Sequence, residues 1–192
     1  MAQKQSSFFH MVTALFVIAL VGSASVGGVY ELTKEPIAQA RMAKKVNAVK
    51  EVVPEFNNNP IDEEKIVEIP SGVIYIYPAK KDGQFVGAAV EALSNKGFGG
   101  AIRLMVGFQV DGTIQDIVVL EHKETPGLGD KMEKSKSDFA SQFKGKNPAN
   151  FNMKVTKDGG DVDAITAATI SSRAFIDAVQ QAYQVYEKEI KP

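Results

Sequence analysis

The sequence predicts an α+β fold: an antiparallel sheet packed with helices and preceded by one N-terminal transmembrane helix. Three observations carry this. Phe8–Val29 runs for 22 residues without a formally charged side chain. Residues 72–120 are dominated by β-branched and aromatic residues in alternation, broken at regular intervals by glycine-containing turns. Beyond residue 170 the apolar residues switch to helical spacing. Strands in one block with helices at both ends give a sheet covered on one face.

The apolar N-terminal stretch, at 1.5 Å per residue, reaches about 33 Å, enough to cross a bilayer. Its apolar heart, Met11–Val21, is also the length of a signal-peptide core, and Ser23-Ala24-Ser25 has the small residues of a cleavage site. Composition leaves anchor and cleaved signal open, and either one exports the rest of the chain. Charge gives little orientation: Lys4 flanks one side, and Lys34, Arg41, Lys44 and Lys45 follow the other. Pro36 is then placed to open a helix to about Val53, with Ile37, Ala40, Val46, Val49, Val52 and Val53 near one stripe. Pro54 ends it, and Glu55–Pro60 is a loop. A short helix or strand follows Asp62.

The strands come next. Gly72–Pro78 is the first clear one. The turn Lys80–Gln84 leads to a second at about Phe85–Leu93, and Asn95–Gly100 turns again. Ile102, Leu104, Val106, Phe108 and Val110 then alternate along a third. Asp111-Gly112 is a short hairpin signal, returning the chain into Ile114–Leu120. After a loop around Pro126, Gly127 and Gly129, the spacing from Asp130 to Phe143 predicts an amphipathic helix. A short strand is expected near Asn152–Val155. The last helix runs from about Ile170 to Lys188, with Phe175, Val179, Ala182, Tyr186 and Ile190 on its buried side.

Composition removes whole classes of chemistry. The chain of 192 residues has no cysteine, so disulfides, thiolate metal sites, iron–sulfur ligation and cysteine nucleophiles are excluded. Lys+Arg total 22 against 23 Asp+Glu, with no long basic run, which argues against nucleic acid. There is no nucleophile elbow and no P-loop. His10 and His122 are the two histidines, and the His122-Lys123-Glu124 triplet lacks the cysteine pair that a zinc deaminase needs. As a residue at the end of a strand, His122 reads as an ordinary polar side chain.

Two segments carry more information. Glu124–Gly129 (ETPGLG) puts a rigid proline, two flexible glycines and a leucine on one loop, where Leu128 either folds into the core or packs on a flat ring. Asp163–Ser172 (DAITAATISS) crowds hydroxyls at the start of the last helix, where Ser and Thr ordinarily cap free amides. The same free amides and the helix dipole favour an anion, so a phosphate esterified to a threonine here needs no basic cluster. Ala167 and Ala168 leave room for a large group or a second protein to reach that oxygen.

DAITAATISS resembles the flavinylation motif of the FMN-binding domain family shared by the RnfG and NqrC electron-transport subunits. That motif is an Asp, then after two intervening residues a Ser or Thr, Gly or Ala, Ala, and an acceptor Thr. Asp163, Thr166, Ala167, Ala168 and Thr169 match it, with Ala167 standing where Gly is more usual. GFGGAIRLMVGFQVDGTI and HKETPGLGDKM also resemble the family's sheet and loop, in the same order along nearly the whole chain. The resemblance implies covalent FMN, joined through its phosphate to Thr169 by a separate flavin transferase that takes it from FAD with a divalent metal and releases AMP. It implies that Asp163, Thr166 and Ala168 belong to the attachment site, and that Glu124, Thr125, Gly127 and Leu128 lie near the isoalloxazine. Expected boundaries are an anchor at 1–30, a helical linker at 31–60 and the covalent FMN-binding domain at 61–192. The implied role is a membrane-anchored electron carrier, extracytoplasmic, working with other subunits of an Rnf complex that couples ferredoxin and NAD redox chemistry to sodium or proton movement. Compact length and the ETPGLGD loop favour the Rnf type. The alternatives are an NqrC-like subunit of a sodium-pumping quinone reductase and an exported ligand-binding module with no redox role.

Overall fold

A computed structural model describes residues 8–70 and 72–190; Lys4 lies outside the described residues. The chain forms two compact units, Met1–Ala43 and Lys44–Pro192. One helix, α1, runs Phe8–Val52. Pro36 therefore lies inside a continuous helix and does not open a second one. Without an amide, proline leaves one helical hydrogen bond unmade. The N-terminal part of α1 is long and apolar enough to cross a membrane, and none of its apolar window is buried.

In the second unit, β1 (Lys65–Ile69), β2 (Gly72–Lys81), β3 (Gln84–Gly97), β4 (Gly100–Gln109) and β5 (Ile114–Glu121) form an antiparallel meander in sequence order. The first hairpin turn after β2 has φ of 52° at Asp82 and 80° at Gly83, the two positive values that a tight, right-twisted hairpin requires. The element after Asp62 is the edge strand β1.

Alternation sorts the side chains to two faces, and both are covered. Ile74, Ile76, Val90, Leu104, Val106 and Ile117 face a core completed by α2 (Thr169–Glu189) and the segments before it. Tyr77, Ala79, Ala89 and Met105 face Ala48, Val49, Val52 and Val53. The expectation of a sheet covered on one face is thus corrected. Residues 103, 105 and 107 of β4 read as the solvent side in sequence, yet Met105 is fully buried by the end of α1. Gly107 permits the close approach: a Cβ there would stand 1.6 Å from the Val52 carbonyl oxygen.

On that face a buried Glu91 accepts from Arg103 and Lys45 at 2.9 Å each and from the Tyr77 hydroxyl at 3.2 Å. Burial, then the Glu91 charge, pushes the Tyr77 hydroxyl far up from its ordinary range. On the α2 face, Phe139, Phe143 and Phe175 meet at ring separations of 5.2–5.9 Å.

Residues 130–143 do not form the expected amphipathic helix. They make two short 3-10 turns, Gly129–Met132 and Ala140–Phe143. The Ser137 hydroxyl donates to the Lys131 carbonyl and accepts from the Phe139 amide, a local alternative to helical bonding. The expected strand near 152–155 reduces to a single bridge, Val155 to Val162.

Candidate functional site

Three loops converge beside the first turn of α2. The β3–β4 turn carries Phe98 and Gly99, the segment after β5 carries Glu124 to Gly129, and the entry to α2 with its first turn carries Ala167 to Ser171. Together they line a cleft of about 350 Å³, within the range of small-molecule sites. Glu124 ties the three together. The residue is 6% exposed. One oxygen accepts from the Gly99 amide at 2.9 Å, the other from the Ser171 hydroxyl at 2.5 Å. Both acceptor oxygens are thereby satisfied, as burial demands. The glycines around it are packed to contact: a Cβ on Gly97 would lie 2.7 Å from one Glu124 oxygen, and one on Gly129 2.5 Å from the other.

The hydroxyls of DAITAATISS divide their work. Ser172 Oγ accepts from the Ile165 amide at 2.9 Å and donates to the Ala168 carbonyl at 3.0 Å, bracing the turn ahead of the helix. Ser171 serves Glu124. α2 starts at Thr169 behind Ala168, and no side chain caps it. The capping explanation therefore does not account for the threonines. Thr169 is half-buried on the cleft wall, and Thr166 is exposed and outside it. Among the described residues no Lys, Arg or His lines the cleft, so the uncapped amides and dipole of α2 are its source of positive potential. Its apolar rim is exposed: Phe98 71%, Ile170 50% and Leu128 41%.

Of the eight residues singled out in sequence, Thr169, Ala168, Glu124, Thr125 and Leu128 line the cleft; Thr166, Asp163 and Gly127 do not. Asp163 is exposed, with its backbone N–H donating to the Gln142 side-chain oxygen at 2.8 Å and its carbonyl accepting from the Gln142 amide at 3.0 Å. Gln142 thus grips the backbone and leaves the carboxylate at the surface. Phe98, Gly129, Ala167, Ile170 and Ser171 line the cleft without having been assigned to it from sequence. An aromatic residue between glycines in a turn was the available signal for Phe98. The Gly99 amide of GFGG donates to a carboxylate of the protein itself.

Behind Glu124, its backbone N–H donates to His122 Nδ1 at 3.1 Å, and His122 Nε2 lies 2.7 Å from Glu133 Oε1. The hydrogen bond from His122, with help from Lys136, holds the Glu133 carboxyl below its usual range.

Residues 97–184 match the sequence profile of the FMN-binding domain. The span covers the β3–β4 turn, the Glu124 loop and most of α2. The chain is 37% identical over 183 residues to the G subunit of the ion-translocating oxidoreductase complex of Vibrio atlanticus (strain LGP32), covering 91% of this chain and 87% of that protein. It is 38% identical over 177 residues to the corresponding subunit of Salmonella typhi, covering 88% and 85%, and 37% identical over 176 residues to that of Escherichia coli (strain K12), covering 86% and 85%. The chain belongs to the RnfG family. All three of its segments that resemble the family, turn, loop and helix start, meet at the one cleft.

The residues present fit FMN. A flat ring needs apolar surface, which Phe98, Leu128 and Ile170 provide. A phosphate needs a positive but not necessarily basic environment, which an uncapped helix start provides.

Proposed function

We propose that this protein carries FMN esterified through its phosphate to Thr169, and serves as the electron-carrying RnfG subunit of an ion-translocating oxidoreductase complex. The observation that supports it best is the position of Thr169. It is the first residue of α2, half-buried on the wall of the same cleft as Glu124, Thr125 and Leu128. When bound, FMN would supply one- and two-electron redox chemistry that none of this chain's own side chains supplies. The protein's own contributions are attachment, orientation and electrostatics. Thr169 Oγ is the atom that forms the new bond to phosphorus. Its proton leaves and the anhydride of FAD breaks, releasing AMP, with the transferase and its divalent metal doing that chemistry. The α2 amides then hold the phosphodiester charge, while Phe98, Thr125, Leu128 and Ile170 offer the surface for the ring. Asp163, kept at the surface by Gln142, is available to the transferase during attachment.

A tether suits a domain outside the cytoplasm, where no free FMN pool maintains occupancy. In this reading residues near 8–29 of α1 anchor the chain in the cytoplasmic membrane and the residues after them lie on the extracytoplasmic side. Electrons arrive from and leave to other subunits of the complex. The RnfG relatives favour this reading over the NqrC-like one, and the uncapped helix start weighs against a module whose threonines are only caps.

The test is intact mass of the full chain, in detergent, after co-expression with a flavin transferase. The expected result is a gain of one FMN less one water, fluorescent on a denaturing gel and absent in Thr169→Ala. Unmodified wild-type chain, with the transferase active on another substrate, would overturn the covalent assignment.

A further inference from the structure

The loop that forms one wall of the cleft is closed at both ends by one carboxylate. At its entry, the Glu124 amide donates to His122 Nδ1 at 3.1 Å. That bond requires Nδ1 to be unprotonated, so the proton sits on Nε2, which donates to Glu133 Oε1 at 2.7 Å. At its exit, Lys136 Nζ lies 3.1 Å from the same Glu133 oxygen and 3.2 Å from Asp130 Oδ2. The Glu133 amide also donates to the Asp130 carbonyl at 3.1 Å. Between these ends the loop has two further backbone bonds, Leu128 N–H to Thr125 carbonyl and Lys131 N–H to Leu128 carbonyl.

What the entry clasp controls is the Glu124 side chain. Its carboxylate joins Gly99, next to Phe98, to Ser171 in the first turn of α2. Gly97 and Gly129 lie close against its two oxygens, where a Cβ would stand 2.7 and 2.5 Å away. A displacement of the Glu124 backbone therefore reaches all three walls of the cleft. His122 lines none of them, so its influence passes through Glu124.

We propose that His122 is a positioning residue, which fixes the Glu124 backbone through Nδ1 and is itself oriented by Glu133, and so sets the walls of the cleft for the flavin ring. The role toward the ring rests on FMN occupying this cleft; the role toward Glu124 does not.

The test uses the full chain in detergent with three substitutions. His122→Asn keeps an acceptor close to the place of Nδ1. His122→Gln keeps a donor close to the place of Nε2 and loses that acceptor. His122→Leu loses both. Amide hydrogen exchange at Glu124 and Gly99 is read on the unloaded chain, and the visible circular dichroism of the flavin on the chain carrying FMN. Expected is exchange within about threefold of wild type for Asn and at least about tenfold faster for Gln and Leu, the size of one lost hydrogen bond. The flavin signal should follow the same order. Should Leu fail to fold, the Asn–Gln contrast still decides. Equal exchange in Asn and Gln would overturn the assignment to Nδ1. Altered exchange with an unchanged flavin signal would overturn the role toward the ring. A wild-type chain that takes up no FMN would instead overturn the flavin reading, leaving the exchange data to judge His122.

Discussion

Ala167 holds φ at +61°, a left-handed conformation that costs an L-residue about 1–2 kcal/mol. The turn closed by the Ala168 amide on the Ile165 carbonyl, at 3.0 Å, puts Ala167 at its third position, where type II turns favour glycine for the same steric reason. This is also the one position of the attachment motif where the chain departs from the family's more usual glycine. The turn brings Thr169 to the cleft, so the strain lies next to the proposed attachment atom. Ala167→Gly relieves it but adds about 0.5–1 kcal/mol of unfolded-state entropy. The expected outcome is a chain between equally stable and about 1.5 kcal/mol more stable. Ala167→Val adds a β-branched side chain at positive φ, and is expected to lose about 1–3 kcal/mol. Denaturant midpoints of the unloaded protein read both. A midpoint for Gly clearly below wild type, or for Val at wild type, contradicts the account.

At the scale of elements, the short end of α1 docks on β4 by backbone approach as much as by side chains. A Cβ at Gly107 would meet the Val52 carbonyl oxygen at 1.6 Å and its Cβ at 2.8 Å. Since the obstacle is backbone, Gly107→Ala has to push the helix end off the sheet, and is expected to cost about 1–3 kcal/mol. The cleft lies with the other core, so the variant should take up FMN as wild type does. A lowered urea midpoint with normal flavin content checks both halves at once. What sequence reveals follows the same divide between local and tertiary causes. The meander was legible because alternation and turns such as Asp82-Gly83 and Asp111-Gly112 are encoded within a few residues. The start of α2 was legible to within a residue. The region 130–143 was not: Met132, Phe139, Ala140 and Phe143 fall at helical spacing and are all buried, yet Ser137 bonds the backbone locally and breaks the run. In the cleft, Glu124, Thr125 and Leu128 were recognisable as a loop of unusual chemistry. The acceptors that Glu124 offers to Gly99 and Ser171, and the burial of Met105, depend on tertiary contacts between segments far apart in sequence, which no periodicity records.

Across the whole molecule, the compact unit that carries the cleft begins at Lys44, well before the first strand and inside the long helix α1. Ala48, Val49, Val52 and Val53 close the second core over Tyr77, Ala79, Ala89 and Met105. Lys45 adds its 2.9 Å contact to Glu91, and Lys44 donates to the Leu120 carbonyl at 2.5 Å. Full burial of each valine stabilises by about 1.5–3 kcal/mol, an upper estimate because unfolded chains already bury some apolar surface. Three valines together approach the roughly 5–15 kcal/mol that holds an ordinary domain folded. Removing residues 44–60 also takes Lys45 from Glu91. A chain starting at Lys44 is therefore expected to unfold cooperatively, and one starting at Ile61 to lose that transition or aggregate through the uncovered sheet face, although both retain every residue of the cleft. Thermal unfolding followed by circular dichroism, with light scattering on the same samples, separates the two. If the Ile61 chain melts cooperatively at the temperature of the Lys44 chain, residues 44–60 are a linker to the flavin domain and not part of its core.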